Sequence, residues 1–321
     1  MDILAKEKKL EQLIHELHRL DDDKAIKHIK QTIQTYLQES MQELTAWDRV
    51  LLARHPKRPH AFEVIDALFQ DFIELHGDRH YEDDQAILGG IASFNGRPVT
   101  VIAHKKGQNT DENIDCNFGM AHPEGYRKAQ RLMLQAQKFN RPIMTFIDTP
   151  GAFPGLGAEA RGQGEAIAQS LKLMSELTVP ILTVVVGEGG SGGALAIGMG
   201  NQVYMLENSI YSILSPEGYA SILWKDASKA KEAAEVMKLT ASDLAEFGLI
   251  DGIIKEPIGG AHRDKINTFV QLKDTLRRGL ERYHTMSPLE IKEERYQKYR
   301  TMGFYQRFNY ANLKGFDVRE H

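Results

Sequence analysis

The segment that most restricts what this chain can become is PILTVVVGEGGSGG, residues 180–193. An apolar run of strand length with no alternation is buried on both faces, the setting of a parallel strand flanked by helices. Five glycines around Ser191 follow it at once. With no Cβ to shield them, several backbone N–H groups can converge there on one point, so such a turn holds an anion or a developing oxyanion. The preceding unit has the same form, with strand PIMTFID (142–148) running into Thr149-Pro-Gly-Ala-Phe-Pro-Gly155. Two turns at the carboxyl ends of neighbouring strands share one cleft, where open α/β sheets place their ligands. Gly151, Ala152 and Phe153 line it, with Phe153 as an apolar wall.

Helices separate these strands. One is predicted from His122-Pro-Glu-Gly125 to Phe139, another from about Ala158 to Leu177, and a third strand at 202–206. Two antiparallel strands, 87–94 and 98–104, flank Asn95-Gly96, the strongest short hairpin signal. Proline at the first helical position marks helix starts at His122-Pro123 and Ser215-Pro216, with Ser215 the better cap. Thr240 and Asp243 form a possible capping box, Gly248 a terminator, and 249–255 a closing strand. Before all this, apolar residues at helical spacing from Leu10 to Leu20 and from Ile26 to Leu44 predict a helical hairpin, with Asp21-Asp22-Asp23 opening its second helix. Two prolines in His55-Pro-Lys-Arg-Pro59 mark the boundary. The expected organisation is a hairpin over 1–55, lying on this chain or on a partner, a catalytic α/β domain over 56–258, and helices over 259–321, from about His262 to Tyr283 and again from Ser287-Pro288.

Three generic motifs overlap in the glycine turn. Gly187-x-Gly189-x-x-Gly192 matches the dinucleotide fingerprint, but the following helix is short for a βαβ unit and Glu188 faces the pyrophosphate position. Gly193 stands where a P-loop needs lysine. Gly189-x-Ser191-x-Gly193 is a nucleophile elbow, with Asp251 and His262 downstream in hydrolase order, and it is the serious competitor; against it, His262 opens a charged helix and reads as a solvated histidine. A glycine turn with no catalytic role, serving only close helix–sheet packing, is the remaining alternative.

The motifs FGMAHPEGYRKAQRLM (118–133), IDTPGAFPGLGAEARGQGEAIA (147–168), GEGGSGGALAIG (187–198) and SPEGYASILWKD (215–226), in this order, resemble the α subunit of the carboxyltransferase of multisubunit acetyl-coenzyme A carboxylase. That resemblance implies a crotonase-like ββα superhelix and a homologous β subunit bearing a zinc finger, together an α2β2 tetramer. It implies transfer of a carboxyl group from carboxybiotin, borne on a biotin carboxyl carrier protein, to acetyl-CoA, giving malonyl-CoA for fatty-acid biosynthesis, with biotin carboxylase in the wider complex. It also implies that Gly189 and Gly190, supported by Gly192 and Gly193, form an oxyanion hole for the biotin ureido oxygen. No metal is expected on this chain.

Charge and cysteine content agree. The formal net charge of -4 leaves no basic excess for a nucleic-acid backbone, and Cys116 as the sole cysteine permits no internal disulfide and no multi-thiolate zinc site. A soluble cytoplasmic chain with no signal or membrane span is the expectation. In KKGQNTDENIDCN (105–117) the acidic half is unsuited to coenzyme A phosphates, so Lys105 and Lys106 are the candidates, set against simple solvation at a strand end. The basic and aromatic run from Arg295 to Phe308 reads either as a single-strand nucleic-acid surface or, more simply, as a helix docked on a partner.

Overall fold

A computed structural model describes residues 3–303 of the protein. The hairpin consists of α1 (Ile3–Leu17) and α2 (Asp23–Ser40), and the Asp22 side chain caps α2 by accepting the Ala25 N–H. Next come α3 (Ala46–Ala53) and α4 (Ala61–Leu68). Helix α3, placed with the hairpin by the proline boundary, packs Val50 and Ala53 against Ile210, Ala234 and Leu239 of the main body. Asp48 ties the two parts together by accepting the Ile3 N–H at 2.9 Å.

The sheet is built from β1 (Gln70–Glu74), β2 (Ile87–Phe94), β3 (Arg97–His104), β4 (Ile143–Thr149), β5 (Ile181–Gly190), β6 (Gln202–Leu206), β7 (Ile210–Ser212) and β8 (Gly252–Ile254). Its order is β1-β2-β3-β4-β5-β6-β8, with β7 paired to the end of β5. β1, β2 and β3 pair antiparallel, and Asn95 and Gly96 turn the β2–β3 hairpin with φ of 50° and 78°, the left-handed conformation that a two-residue hairpin demands. From β3 onward every pairing is parallel.

The connecting helices are α5 (Thr110–Asp115), α6 (Pro123–Lys138), α7 (Leu156–Ala160), α8 (Gln163–Glu176), α9 (Ser191–Leu195), α10 (Pro216–Trp224), α11 (Ala230–Met237) and α12 (Ala241–Glu246), followed by α13 (Lys265–Glu281) and α14 (Pro288–Thr301). Successive residues of β4 face opposite layers: Ile143 and Ile147 join the cluster with Leu132 of α6 and Met174 of α8, while Met144 and Phe146 join Leu68 of α4 and Leu276 of α13. The unbroken apolar runs of β4 and β5 are thus explained by burial on both sides.

Some boundaries differ from expectation. The helix expected over 158–177 is two helices, broken at Gly162 with φ 84°. β5 runs four residues beyond its apolar run, through Gly190, because its edge keeps pairing with β4 and β7. The capping box at Thr240 forms as read, the helix expected at Ser287-Pro288 opens there with a capping box of its own, and Ser215 caps α10 while the His122 side chain makes no capping bond.

Candidate active site

The two glycine turns meet at the carboxyl ends of β4 and β5, backbone against backbone. A Cβ on Gly190 would stand 2.0 Å from the Pro150 carbonyl oxygen, and one on Gly193 2.6 Å from the Ala152 nitrogen. On the opposite flank, a Cβ on Gly189 would meet the Tyr211 ring of β7 at 2.9 Å. Close approach therefore requires glycine at these positions. Gly192 is different, since its nearest neighbour is the mobile end of Ile167 at 3.2 Å.

Strand pairing divides these glycines further. Gly189 is in register with Thr149 on one side and Tyr211 on the other, and Gly190 with Ser212, so both belong to ladders. Gly192 and Gly193 open the short helical turn α9, whose first amides have no acceptor within the helix. Ser191 links strand to helix with φ 51° and is exposed. The 149–155 turn is fixed from within and without. Thr149 Oγ1 donates to the Gly151 carbonyl at 2.7 Å and accepts the Gly151 N–H at 3.1 Å, while the Phe153 N–H reaches the Ala121 carbonyl. The Phe153 ring stacks on His122 with centroids 4.1 Å apart, and Gly151 and Ala152 are half-buried beside it.

Beneath the turns lies a charge cluster. Lys106 Nζ donates to Asp148 Oδ1 at 2.8 Å and to Glu188 Oε1 at 3.2 Å; Arg54 donates to Glu188 Oε2 at 2.8 Å and to Glu217. Burial alone lowers the Lys106 pKa, but Asp148 and Glu188 outweigh it and hold it above its ordinary value. Burial likewise raises Glu188, and Lys106 with Arg54 more than reverse this. Lys106 thus has its charge matched inside the protein, while Lys105, half-buried, bonds through its backbone N–H to Ala86. His104 precedes them, 1% exposed. Burial and the Lys106 charge push its pKa down to about 3, leaving the ring neutral; the Gly193 backbone lies near, but neither ring nitrogen reaches hydrogen-bond geometry.

Asp148, Arg54 and Tyr211 were not singled out in the sequence, and Glu188 entered only as a charge unsuited to a pyrophosphate. A signal existed for two of them: an aspartate closing an apolar strand and a glutamate inside a glycine turn are charges where charge is costly, which marks a buried pairing.

A cavity of about 680 Å³, mainly apolar, opens beside Ser191 and Gly192, with Leu195, Tyr211, Tyr219 and Met237 among its walls. A second of about 300 Å³ is lined by Arg54, Lys106, Asp148, Pro150 and Glu188. The hydrolase constellation does not assemble. Asp251 accepts the Val203 N–H at 2.6 Å and pairs with Lys298, and His262 stacks on His55 with centroids 3.9 Å apart. His262, read as solvated, has a side chain only 2% exposed. In the 295–308 run, Arg295 is fully buried and Tyr299 donates to the Gly200 carbonyl, whereas Phe304, Tyr305, Arg307 and Phe308 lie outside the described residues.

Solved structures share this architecture. Transcarboxylase 12S with methylmalonyl-coenzyme A and methylmalonic acid bound superposes with a TM-score of 0.58 at 22% identity, over 71% of this chain and 42% of that one. A Pseudomonas malonate decarboxylase heterotetramer in complex with coenzyme A gives 0.56 at 16% identity, over 68% of this chain and 89% of that one. With glycine turns at the carboxyl ends of parallel strands, the fold is that of the crotonase-like carboxyltransferases. The chain belongs to the acetyl co-enzyme A carboxylase carboxyltransferase-like family, which matches residues 1–303. It is 57% identical to the acetyl-coenzyme A carboxylase carboxyl transferase subunit alpha of Clostridium acetobutylicum over 83% of this chain and 97% of that one. The protein of the same name from Listeria welshimeri is 56% identical over 82% of this chain and 83% of its own length. Among the described residues no helix is long and apolar enough to cross a membrane.

Proposed function

We propose that this chain is one half of a two-subunit carboxyltransferase, moving a carboxyl group from carboxybiotin on a biotin carboxyl carrier protein to acetyl-CoA and so forming malonyl-CoA. The observation that carries the reading is the backbone contact of the two glycine turns, Gly190 on Pro150 and Gly193 on Ala152. Such packing fixes main-chain amides before any substrate arrives, and donors held in advance stabilise a developing charge without reorganisation.

Gly189 and Gly190, laddered to their neighbours, act as the floor. Gly192 and Gly193 present the amides, which receive the charge that forms on the biotin ureido oxygen as its carboxyl group departs. The apolar cavity beside Gly192 suits a largely apolar bicyclic ring on a flexible chain. Gly151, Ala152 and Phe153 hold the far side. No side-chain base is needed, because the released ureido anion is itself basic enough to take the methyl proton of the thioester. The enolate oxygen that then forms calls for a second hole, which the homologous zinc-bearing β subunit supplies in an α2β2 assembly, with biotin carboxylase in the wider complex. Lys105 is the candidate for a coenzyme A phosphate, since Lys106 is committed to Asp148 and Glu188.

The test is carboxyl transfer from malonyl-CoA to biocytin. The purified chain alone is expected to be inactive and to gain activity when the zinc-bearing partner is added. Full activity without a partner overturns the shared-site reading.

A further inference from the structure

Three side chains distant in sequence meet where the hairpin seats on the core. Glu7 lies on α1, His55 follows α3 and His262 precedes α13. The His262 side chain is 2% exposed and that of Glu7 12%. One Glu7 oxygen, Oε2, is engaged by Arg263, and His55 Nδ1 accepts the Lys57 N–H at 3.2 Å. Glu7 Oε1 is left facing His262 Nε2, and the His55 ring lies stacked on that of His262.

Buried imidazoles ordinarily place both nitrogens in hydrogen bonds. Neither nitrogen of His262 has such a partner, and its Nε2 stands 3.6 Å from Glu7 Oε1. That separation is too long for an N–H···O bond. It matches the edge of about 3.4 Å between two donors that share one tetrahedral ion at about 2.1 Å. Ligand atoms of all three residues lie within 4.8 Å of one another.

We propose that Glu7, His55 and His262 form a site for a divalent transition-metal ion of the zinc type, which staples the N-terminal hairpin to the catalytic body. Two neutral imidazoles and one carboxylate suit zinc, with water as a fourth ligand. The two rings are stacked 19° from parallel, and a neutral His55 whose Nδ1 accepts the Lys57 N–H carries its proton on Nε2, so binding requires His55 to turn about χ2, give up the Lys57 bond and present a nitrogen lone pair to the ion. Arg263 keeps its hold on Oε2, leaving Oε1 for the ion. His55 also lines the cavity of Arg54, Lys106 and Pro150, so the site borders the glycine turns, but it does not depend on the carboxyl-transfer reading.

The experiment uses the tag-free full-length chain, stripped with a chelator and titrated with Zn²⁺ while thermal unfolding is followed, and with Co²⁺ while visible absorption is followed. Saturation at one ion per chain, a raised melting temperature and the absorption of tetrahedral cobalt are expected. His262→Asn and Glu7→Gln should each weaken zinc by no less than the about 10–100-fold lost when a residue that only hydrogen-bonds a metal ligand is removed. His55→Gln gives the same comparison if the buried His262 variant does not fold. No saturable binding at micromolar zinc, or binding that all three variants retain, overturns the proposal.

Discussion

The Cβ that Gly190 lacks would lie 2.0 Å from the Pro150 carbonyl oxygen, whereas one on Gly192 meets only the tip of Ile167 at 3.2 Å. Two glycines two positions apart in one turn therefore do different work. Gly190→Ala must push the two turns apart, and a displacement near 1 Å at a preorganised site costs about 100-fold in rate. Gly192→Ala asks only that a flexible methyl group give way, so fold and melting temperature should be nearly unchanged. Parallel measurement of melting temperature and carboxyl transfer separates the two; equal behaviour of both variants would contradict the backbone-contact account.

Lys106 predicts a stability effect with a definite pH signature. Lys106→Met leaves Asp148 and Glu188 buried with Arg54 as the nearby cation, and breaking a buried pair from one side costs about 3 kcal/mol or more. Because the folded-state pKa of Glu188 is depressed, its ion pairs stabilise the protein above the ordinary value of 4.5 and lose that contribution as pH falls below it. Wild-type protein should lose stability in that acid range, and Lys106→Met should show a shallower loss from a lower starting point. Urea unfolding at a series of pH values reads both.

Ser191 distinguishes the oxyanion turn from a nucleophile elbow. Its left-handed backbone and exposure are what an elbow serine has, but Asp251 is bound to Val203 and Lys298, and His262 is stacked on His55. Without a base the hydroxyl is a poor nucleophile. Ser191→Ala should retain carboxyl transfer to within a few-fold, and the wild-type chain should resist a fluorophosphonate probe. Stoichiometric labelling at Ser191 would revive the hydrolase reading.

How much of this was legible in the sequence depends on the range over which each feature is determined. Asn95-Gly96, Thr240 with Asp243 and Ser287-Pro288 act within a few residues, and each forms the turn or cap its chemistry specifies. The burial of β4 and β5 was readable because a run with no polar alternation has no solvated face. Gly162 was missed as a break although Gly164 stands two residues on and both glycines weaken a helix; its left-handed φ fixes where the interruption falls. β1 pairs only at the sheet edge, and with the burial pattern eeiee it carries no apolar stripe to detect. His262 looked solvated beside Arg263 and Asp264, yet its surroundings come from Glu7 and His55. The glycine turns were located from sequence, but that Gly190 packs on Pro150 while Gly192 faces Ile167 depends on how two strands align.

Arg295 allows a prediction about the C-terminal helix. It is fully buried in α14, and its guanidinium donates to the Asn201 side chain and to the carbonyls of Met174, Leu177 and Val179, at 2.6 to 3.0 Å. Those carbonyls end α8 and lead into β5, so one side chain satisfies acceptors left over where helix passes to strand. Burial lowers its pKa to about 10, still above neutrality, so the group is charged and its bonds are the strong, charge-assisted kind. Arg295→Met keeps much of the volume and strands several buried carbonyls, each worth about 1–3 kcal/mol when left unsatisfied. The loss should appear first as rapid amide exchange in α14 and the 177–180 segment, with β2 and β3 still protected, because α14 packs at the β6 end of the sheet. A surface arginine waiting for nucleic acid would show the reverse, with stability unchanged on substitution and only salt-dependent binding lost.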